Sequence, residues 1–439
     1  MNKTTYKALN YKQTFDKITK TYCIHRKIQM QQFLEQSKKI SREIATLSGE
    51  VKNKVLNEMA DALIEHSDFI VHNNSKDMQT AEQENLSLDL KDRLLLTNDR
   101  VKAMANAIRQ IASLKEPVGR TLDGWVTENG LNIQKVSIPI GVIGIIYESR
   151  PNVTSDTAAL CFKSGNVCIL KGGKEAQHSN KAIADILRNV LAVNKLPEQA
   201  ISLLPNSTRQ GVAEFIKQDK YVDLLVPRGG EALIKFISQN ATIPVVKHDK
   251  GLCHTYIDKF ADGKKAIEIA INAKCQRPGV CNSMETLLVH KDVANYVLPP
   301  LHENFMSKNT ELRGCEETVE YIDIPLATQE DFDTEYLANI LSIKVVKDVS
   351  DAISHINKHG SGHSECIISE NYSVVNKFLN EVDAACVYAN ASTRFTDGGA
   401  FGLGAEVGIS TNKLHSRGPM GINDLTTFKY KIYGNGQIR

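Results

Sequence analysis

A cysteine on a turn offers the most chemistry in this chain. In residues 273–289, AKCQRPGVCNSMETLLV, Cys281 follows the turn signal Pro278-Gly279 and precedes the apolar run 284–289, which reads as a buried strand. A thiol held between a helix and a strand is either a small buried residue or a nucleophile, and residue type alone leaves both open. Two other stretches suit anions. Lys171-Gly172-Gly173-Lys174 ends the predicted strand 166–170 and opens a helix. Its glycines permit close backbone approach, the helix start offers free amides, and the lysines supply charge. Arg228-Gly229-Gly230 leaves the predicted strand 222–226 in the same way. Each could be a bare turn, but two on one sheet suit a ligand with several phosphates. Asn152, in RPNVTS after the first apolar strand, could cap a helix or present an amide to a developing oxyanion.

Other chemistries lack their residues. The GxGxxG fingerprint is missing, since Gly402, Gly404 and Gly408 have the wrong spacing, and there is no Walker lysine motif or GxSxG elbow. His355, His359 and His363 recur every four residues, but Gly360 and Gly362 break the helix between the last two, and no carboxylate stands at zincin spacing. No metal is expected.

A chain of 439 residues exceeds one ordinary core, so two or three lobes are predicted. From 31 to 114 apolar residues recur at helical steps: Ile44, Leu47, Val51, Val55, Met59 and Leu63. After Pro117 and Gly119, residues 125–136 alternate like a hairpin, and 138–147 reads as one near-continuous apolar strand. From there strands (166–170, 200–204, 222–226, 243–246) alternate with helices (155–162, 176–193, 208–217, 230–237), which predicts a parallel sheet covered on both faces. Ligands of such sheets sit beyond the carboxyl ends of the strands. A second set, with strands 255–258, 284–289, 340–346, 365–369 and 385–388, forms another α/β lobe around Cys281. Net charge is only +2 with signs interleaved, so no field for nucleic acid or anionic lipid is expected. The run 138–147 is too short to cross a bilayer and contains Pro139, so no membrane association is expected either. Nine cysteines without a CxxC pair favour reduced thiols and a cytoplasmic location.

These pieces, in this order, resemble the aldehyde dehydrogenase superfamily, and within it the branch that reduces an acyl phosphate of glutamate. The match rests on YESRPNVTSDTAALCFKSGN (147–166), KGGKEA (171–176), KCQRPGVCNSMETLLVH (274–290), YANASTRFTDGGAFGLGAEVGIST (388–411) and HSRGPMG (415–421). It runs from about residue 30 to the C-terminus. It implies an aldehyde dehydrogenase-like α/β fold with two three-layer lobes and a small oligomerisation arm. The expected division is a disordered extension over 1–29, helices and a cofactor lobe over 30–252 with the hairpin arm 120–137, a catalytic lobe over 253–390, and a return segment with an oligomerisation tail over 391–439.

The resemblance also assigns roles. Cys281 falls on the nucleophile, Asn152 on the oxyanion asparagine and Lys171 on the cofactor lysine, with Gly172, Gly173, Arg228, Gly229 and Gly230 beside the cofactor and Glu335 on its nicotinamide ribose. Lys174 stands where many NAD-using relatives carry a glutamate, so NADPH is expected over NADH. Oxidising relatives keep a glutamate base that activates water; the comparable stretch here is Lys247-His248-Asp249-Lys250-Gly251, with His248 a candidate for proton transfer. Without that base the thioester should wait for hydride or phosphate. The implied reaction is NADPH-dependent reduction of L-glutamyl 5-phosphate to the 5-semialdehyde, in proline biosynthesis. The substrate's carboxylate and phosphate need cations, and Arg277, Arg394 and Arg150 are the candidates. A homo-oligomer and transient contact with glutamate 5-kinase are expected. The rival readings are a non-phosphorylating aldehyde oxidiser and a cofactor-free thiol acyltransferase or amidase.

Overall fold

The computed structural model describes residues 28–247 and 250–439, apart from the side chain of Asp89. The expected extension 1–29 therefore lies almost wholly outside the described residues, and His248 lies outside them too. The chain divides into two compact units. One contains the chain up to Pro227 with Gln239–Val245 and Leu425–Arg439; the other contains Arg228–Ser238 and Val246–Asp424.

In the first unit a helix over 28–44 leads into Gly49–Glu65, Ser67–Gln83, Leu88–Leu94 and Asn98–Ser113. Three of the starts are written in the sequence: Ser48, Ser87 and Thr97 each accept a backbone amide of the first turn. Four strands then form a sheet in the order Ile201–Leu203, Val167–Lys171, Val142–Tyr147, Leu224–Arg228. The helices Asn152–Lys163 and Gln177–Val193 connect them. The predicted strand 138–147 is in fact two. Asn132–Pro139 belongs to a three-stranded antiparallel sheet, while Val142–Tyr147 is central in the four-stranded one. Pro139 lacks a ladder donor and Gly141 turns the chain with φ +131°, a break that apolar character alone does not reveal. The predicted strand 243–246 reduces to a single bridge between Leu225 and Val245.

The three-stranded sheet pairs Thr121–Val126, Asn132–Pro139 and the C-terminal strand Thr426–Tyr433. Its edge strand Thr121–Val126 is exposed along its length, and Trp125 meets Tyr430 edge to face at 6.1 Å.

The second unit holds six parallel strands in the order Cys386–Ala389, Ser364–Ile368, Cys253–Ile257, Met284–His290, Ile340–Val346, Glu311–Gly314. Both faces are covered, as the continuous apolar strands require. Leu287 and Val289 pack with Ala266, Ala270, Leu298 and Phe305 of the helices Gly263–Cys275 and Lys291–Ser307. Leu288, between them in sequence, points the other way into Ile353, Ile356 and Phe378 of the helices Val349–His359 and Tyr372–Glu381. The edge strand Glu311–Gly314 has no counterpart among the predicted strands; four residues, two of them partly or fully exposed, give little periodicity. Among the described residues no helix is long and apolar enough to cross a membrane.

Candidate active site

Cys281 sits on the loop between the helix Gly263–Cys275 and the strand Met284–His290, at the amino end of that strand. Glu335 and Gly251 also precede strands of this sheet, so the second unit builds its site at the amino ends. In the first unit Lys171 ends a strand, at the carboxyl side where ligands of parallel sheets are expected.

Backbone contacts hold the thiol's position. A Cβ on Gly251 would lie 1.9 Å from the carbonyl oxygen of Cys281 and 2.5 Å from its Cα, so only glycine allows this approach. The Gly251 amide donates to Glu335 Oε1 at 2.8 Å, and the buried Cys253 thiol donates to the Cys281 carbonyl at 3.2 Å. Next in sequence, Asn282 donates to the Thr396 carbonyl at 2.8 Å and accepts on its own carbonyl from Thr393 Oγ1 at 2.8 Å. The loop is therefore clamped from 251–253 and from 393–396.

Below it lies a fully buried ion pair. Lys274 Nζ is 2.6 Å from Glu285 Oε2, and neither side chain has any exposure. Burial pushes Glu285 up and Lys274 down, each opposed by the other's charge. Glu285 Oε1 also accepts from the Leu337 amide at 3.3 Å, which ties in the loop that bears Glu335.

Burial pushes the Cys281 thiol up to about 11, helped by the carboxylates of Glu335 and Glu406 and opposed by Arg228. Glu335, which the sequence places in the site, and Glu406, which it does not single out, reach the thiol from distant parts of the sequence. Both are engaged by backbone: Glu335 by Gly251, and Glu406 Oε2 by the Gly398 amide at 2.8 Å. Arg394, half-buried, donates from Nε to Gln276 Oε1 at 2.8 Å, and its guanidinium is held down by burial and by the neighbouring charge of Arg277. Two arginines that repel each other beside a thiol form a seat for an anion. Arg228, expected among the cofactor residues, has its Nε 3.9 Å from where a Cβ on Gly408 would be, and belongs to the charges around Cys281. Because the thiolate is a minority species below the thiol's value of about 11, iodoacetamide alkylation of Cys281 is expected to speed up about tenfold per pH unit from neutrality and to level off near that value. A rate that stayed flat across that range would contradict it; mass spectrometry of the modified peptide gives the readout.

In the first unit Asn152 opens the helix Asn152–Lys163 and does not cap it; its amide donates to Asp156 Oδ2 at 2.9 Å on the exposed side. Arg150, two residues earlier, is exposed. Lys171 is half-buried and held below its usual range by burial, against the pull of Glu175 and Glu148. Lys174 is exposed and pairs with Glu84 at 2.8 Å, a contact too weak to withhold it from a phosphate. The glycines have packing reasons of their own: a Cβ at Gly172 would meet Asn180 Nδ2 at 2.0 Å, and one at Gly173 would meet Glu175 Oε1 at 1.9 Å. The following helix does not present all its amides freely. Asp77, a hundred residues upstream, accepts from the amides of His178 and Ser179 at 3.1 and 2.8 Å. The anion-binding character of this turn therefore rests on its lysines more than on the helix start.

His254 is buried against Glu365, whose Oε2 accepts from its amide at 2.7 Å and lies 2.9 Å from its Nδ1. Burial drives His355 down to about 2, so it packs as a neutral ring 4.5 Å from His359. No group of three or more His, Cys, Asp or Glu among the described residues is arranged to hold a metal ion.

Comparison with known proteins agrees with this architecture. The sequence matches the aldehyde dehydrogenase family over residues 3–319 and 326–429. It is 69% identical over 410 residues to gamma-glutamyl phosphate reductase of Aliarcobacter butzleri, covering 93% of this chain and 100% of that protein. The corresponding protein of Nautilia profundicola is 63% identical over the same shares. The crystal structure of gamma-glutamyl phosphate reductase from Thermotoga maritima superposes with a TM-score of 0.92 at 45% identity, covering 93% of this chain and 99% of that one. The chain belongs to the aldehyde dehydrogenase family, and within it to the gamma-glutamyl phosphate reductases.

Proposed function

We propose that this protein reduces L-glutamyl 5-phosphate to L-glutamate 5-semialdehyde with release of phosphate, using NADPH, in proline biosynthesis. Near full-length identity to proteins of that name carries the reading, and a clamped thiol beside two arginines supports it. The Cys281 sulfur attacks the acyl carbon; the carbon–oxygen bond to phosphate breaks, phosphate leaves with the electron pair, and a thioester remains. The Cys281 amide holds the oxyanion, and Asn152 keeps the role the resemblance gives it as second donor. Arg277 and Arg394 receive the anionic groups of the substrate, with Arg150 a third candidate. NADPH, when bound, supplies the hydride that converts the thioester to a thiohemiacetal, which collapses by breaking the carbon–sulfur bond and returns the thiol. Lys171 and Lys174 suit the phosphates by charge, and Lys174 favours a 2'-phosphate. Glu335 is assigned to the nicotinamide ribose.

The test is the reverse reaction. Reduction of NADP by glutamate 5-semialdehyde should require phosphate and should be faster with NADP than with NAD; full-rate oxidation without phosphate would favour a non-phosphorylating enzyme instead. In the same assay Gly251→Ala should lower kcat about 100-fold and also lower stability, because the methyl group displaces the Cys281 backbone and near-attack geometry tolerates little displacement. Unchanged turnover would show that the loop relaxes without consequence.

The protein is expected to act in the cytoplasm and to associate with copies of itself through the three-stranded sheet, where Leu122, Trp125, Val126, Phe428 and Ile432 are exposed. Transient contact with glutamate 5-kinase, which makes the labile acyl phosphate, fits this chemistry.

A further inference from the structure

The charges around Cys281 are arranged by sign. The charge of Arg277, one residue after Gln276, bears on Arg394, which is fixed by donating to Gln276 Oε1. Glu406 is their counterpart. Its Oε2 is anchored by the Gly398 amide at 2.8 Å, and its Oε1 accepts from no group among the described residues. Gly398 follows by two residues Thr396, whose carbonyl is held by Asn282, the neighbour of Cys281, so these contacts tie the carboxylate to the nucleophile's loop. The other charges that face it are Arg228, whose guanidinium lies against Gly408, and Asp397; no ion pair satisfies it among the described residues. Glu335 is less available, because its Oε1 fixes Gly251.

A half-buried carboxylate with one open oxygen, beside a nucleophile that must meet a multiply anionic substrate, opposes the reaction to the extent that Arg228 leaves its charge uncompensated, and a cation that joins it removes that opposition. The substrate of the proposed reaction carries one cation, its α-ammonium. We propose that Glu406 receives the α-ammonium of the substrate through Oε1 and so selects an amino-acid aldehyde or acyl phosphate over its deaminated analogue. This rests on the function proposed above. The same contact would cancel one of the two carboxylate fields that hold the thiol protonated, so the correct substrate would help to ionise the group that attacks it.

The test compares two aldehydes in the phosphate-dependent reduction of NADP: glutamate 5-semialdehyde and 5-oxopentanoate, which has hydrogen in place of the ammonium. Glu406→Gln keeps an oxygen to accept from Gly398 and removes the charge. The expected result is a rise in KM for the semialdehyde of about tenfold or more, with no rise in the KM for 5-oxopentanoate and, because one of the fields that keep the thiol protonated is gone, equal or faster turnover of it. Undiminished turnover of 5-oxopentanoate also shows that the variant is folded. Equal losses on both aldehydes, which would mean that Glu406 only positions the 393–398 segment, or no loss on either, would overturn the proposal. Wild-type enzyme that turned over neither aldehyde in the presence of phosphate would remove the parent reading and this one together.

Discussion

Cys281→Ala is expected to lower phosphate-dependent reduction of NADP by glutamate 5-semialdehyde by at least about 10⁴-fold while leaving NADPH binding intact. The loss should be this large because no other group described in the site can form the covalent intermediate. Cys253, a second thiol beside it, is buried, donates its hydrogen to the Cys281 carbonyl, and is pushed well above the usual thiol range by burial and by the surrounding carboxylates. It cannot substitute. The change itself is mild: Cys281 is half-buried, and the contacts that clamp it run through backbone atoms and through Asn282, which alanine keeps. Folding should therefore survive, and quenching of protein fluorescence by NADPH should follow the wild-type curve. Residual activity within about tenfold of wild type would point to another nucleophile or to direct hydride transfer to the acyl phosphate. Loss of NADPH binding along with activity would point to a structural role for the thiol.

The loop that carries Cys281 is legible because its signal is local. Pro278-Gly279, the thiol and the apolar run from Met284 fall within one short window, and the run becomes a fully buried strand. The alternating elements are legible for the same reason: the helix Val349–His359 and the strands beside it show their period within one window. What stays hidden depends on contacts between distant segments. Nothing in the sequence around Gly251 says that the space of its missing side chain is filled by the Cys281 backbone. Nothing around Gln177, where the helix Gln177–Val193 begins with no side-chain cap of its own, says that Asp77 will accept from its first amides. Glu406 lies inside a recognisable motif, yet nothing in its glycine-rich stretch points to the thiol, and only the return of 393–398 to Asn282 brings it near.

Lys274→Met is expected to destabilise the fold by about 3–5 kcal/mol, because it leaves Glu285 buried without its ion-pair partner. Lys274 stands in the last turn of the helix Gly263–Cys275 and Glu285 is the second residue of the strand Met284–His290, so their contact closes the base of the loop that carries Cys281. With the lysine gone, the Leu337 amide is the one remaining donor to Glu285 among the described residues, and burial favours the neutral acid. A carboxyl whose folded pKa lies above its unfolded value binds more protons in the native state, so stability falls as pH rises from the unfolded value through the folded one. The deficit should therefore be largest at neutral and alkaline pH and should shrink as pH falls toward the ordinary glutamate value of 4.5. Urea denaturation across that range measures it, and a deficit independent of pH would show that Glu285 stays ionised on other contacts. The double variant Lys274→Met, Glu285→Leu separates stability from positioning. Replacing both charges with apolar groups removes the desolvation cost, so most of the lost stability should return. Turnover should not return with it, because the pair also fixes the spacing between the helix end and the strand start, and through Leu337 the loop that bears Glu335. Recovery of both together would mean that the buried pair serves stability alone and that the clamps at Gly251 and Asn282 suffice to hold the nucleophile.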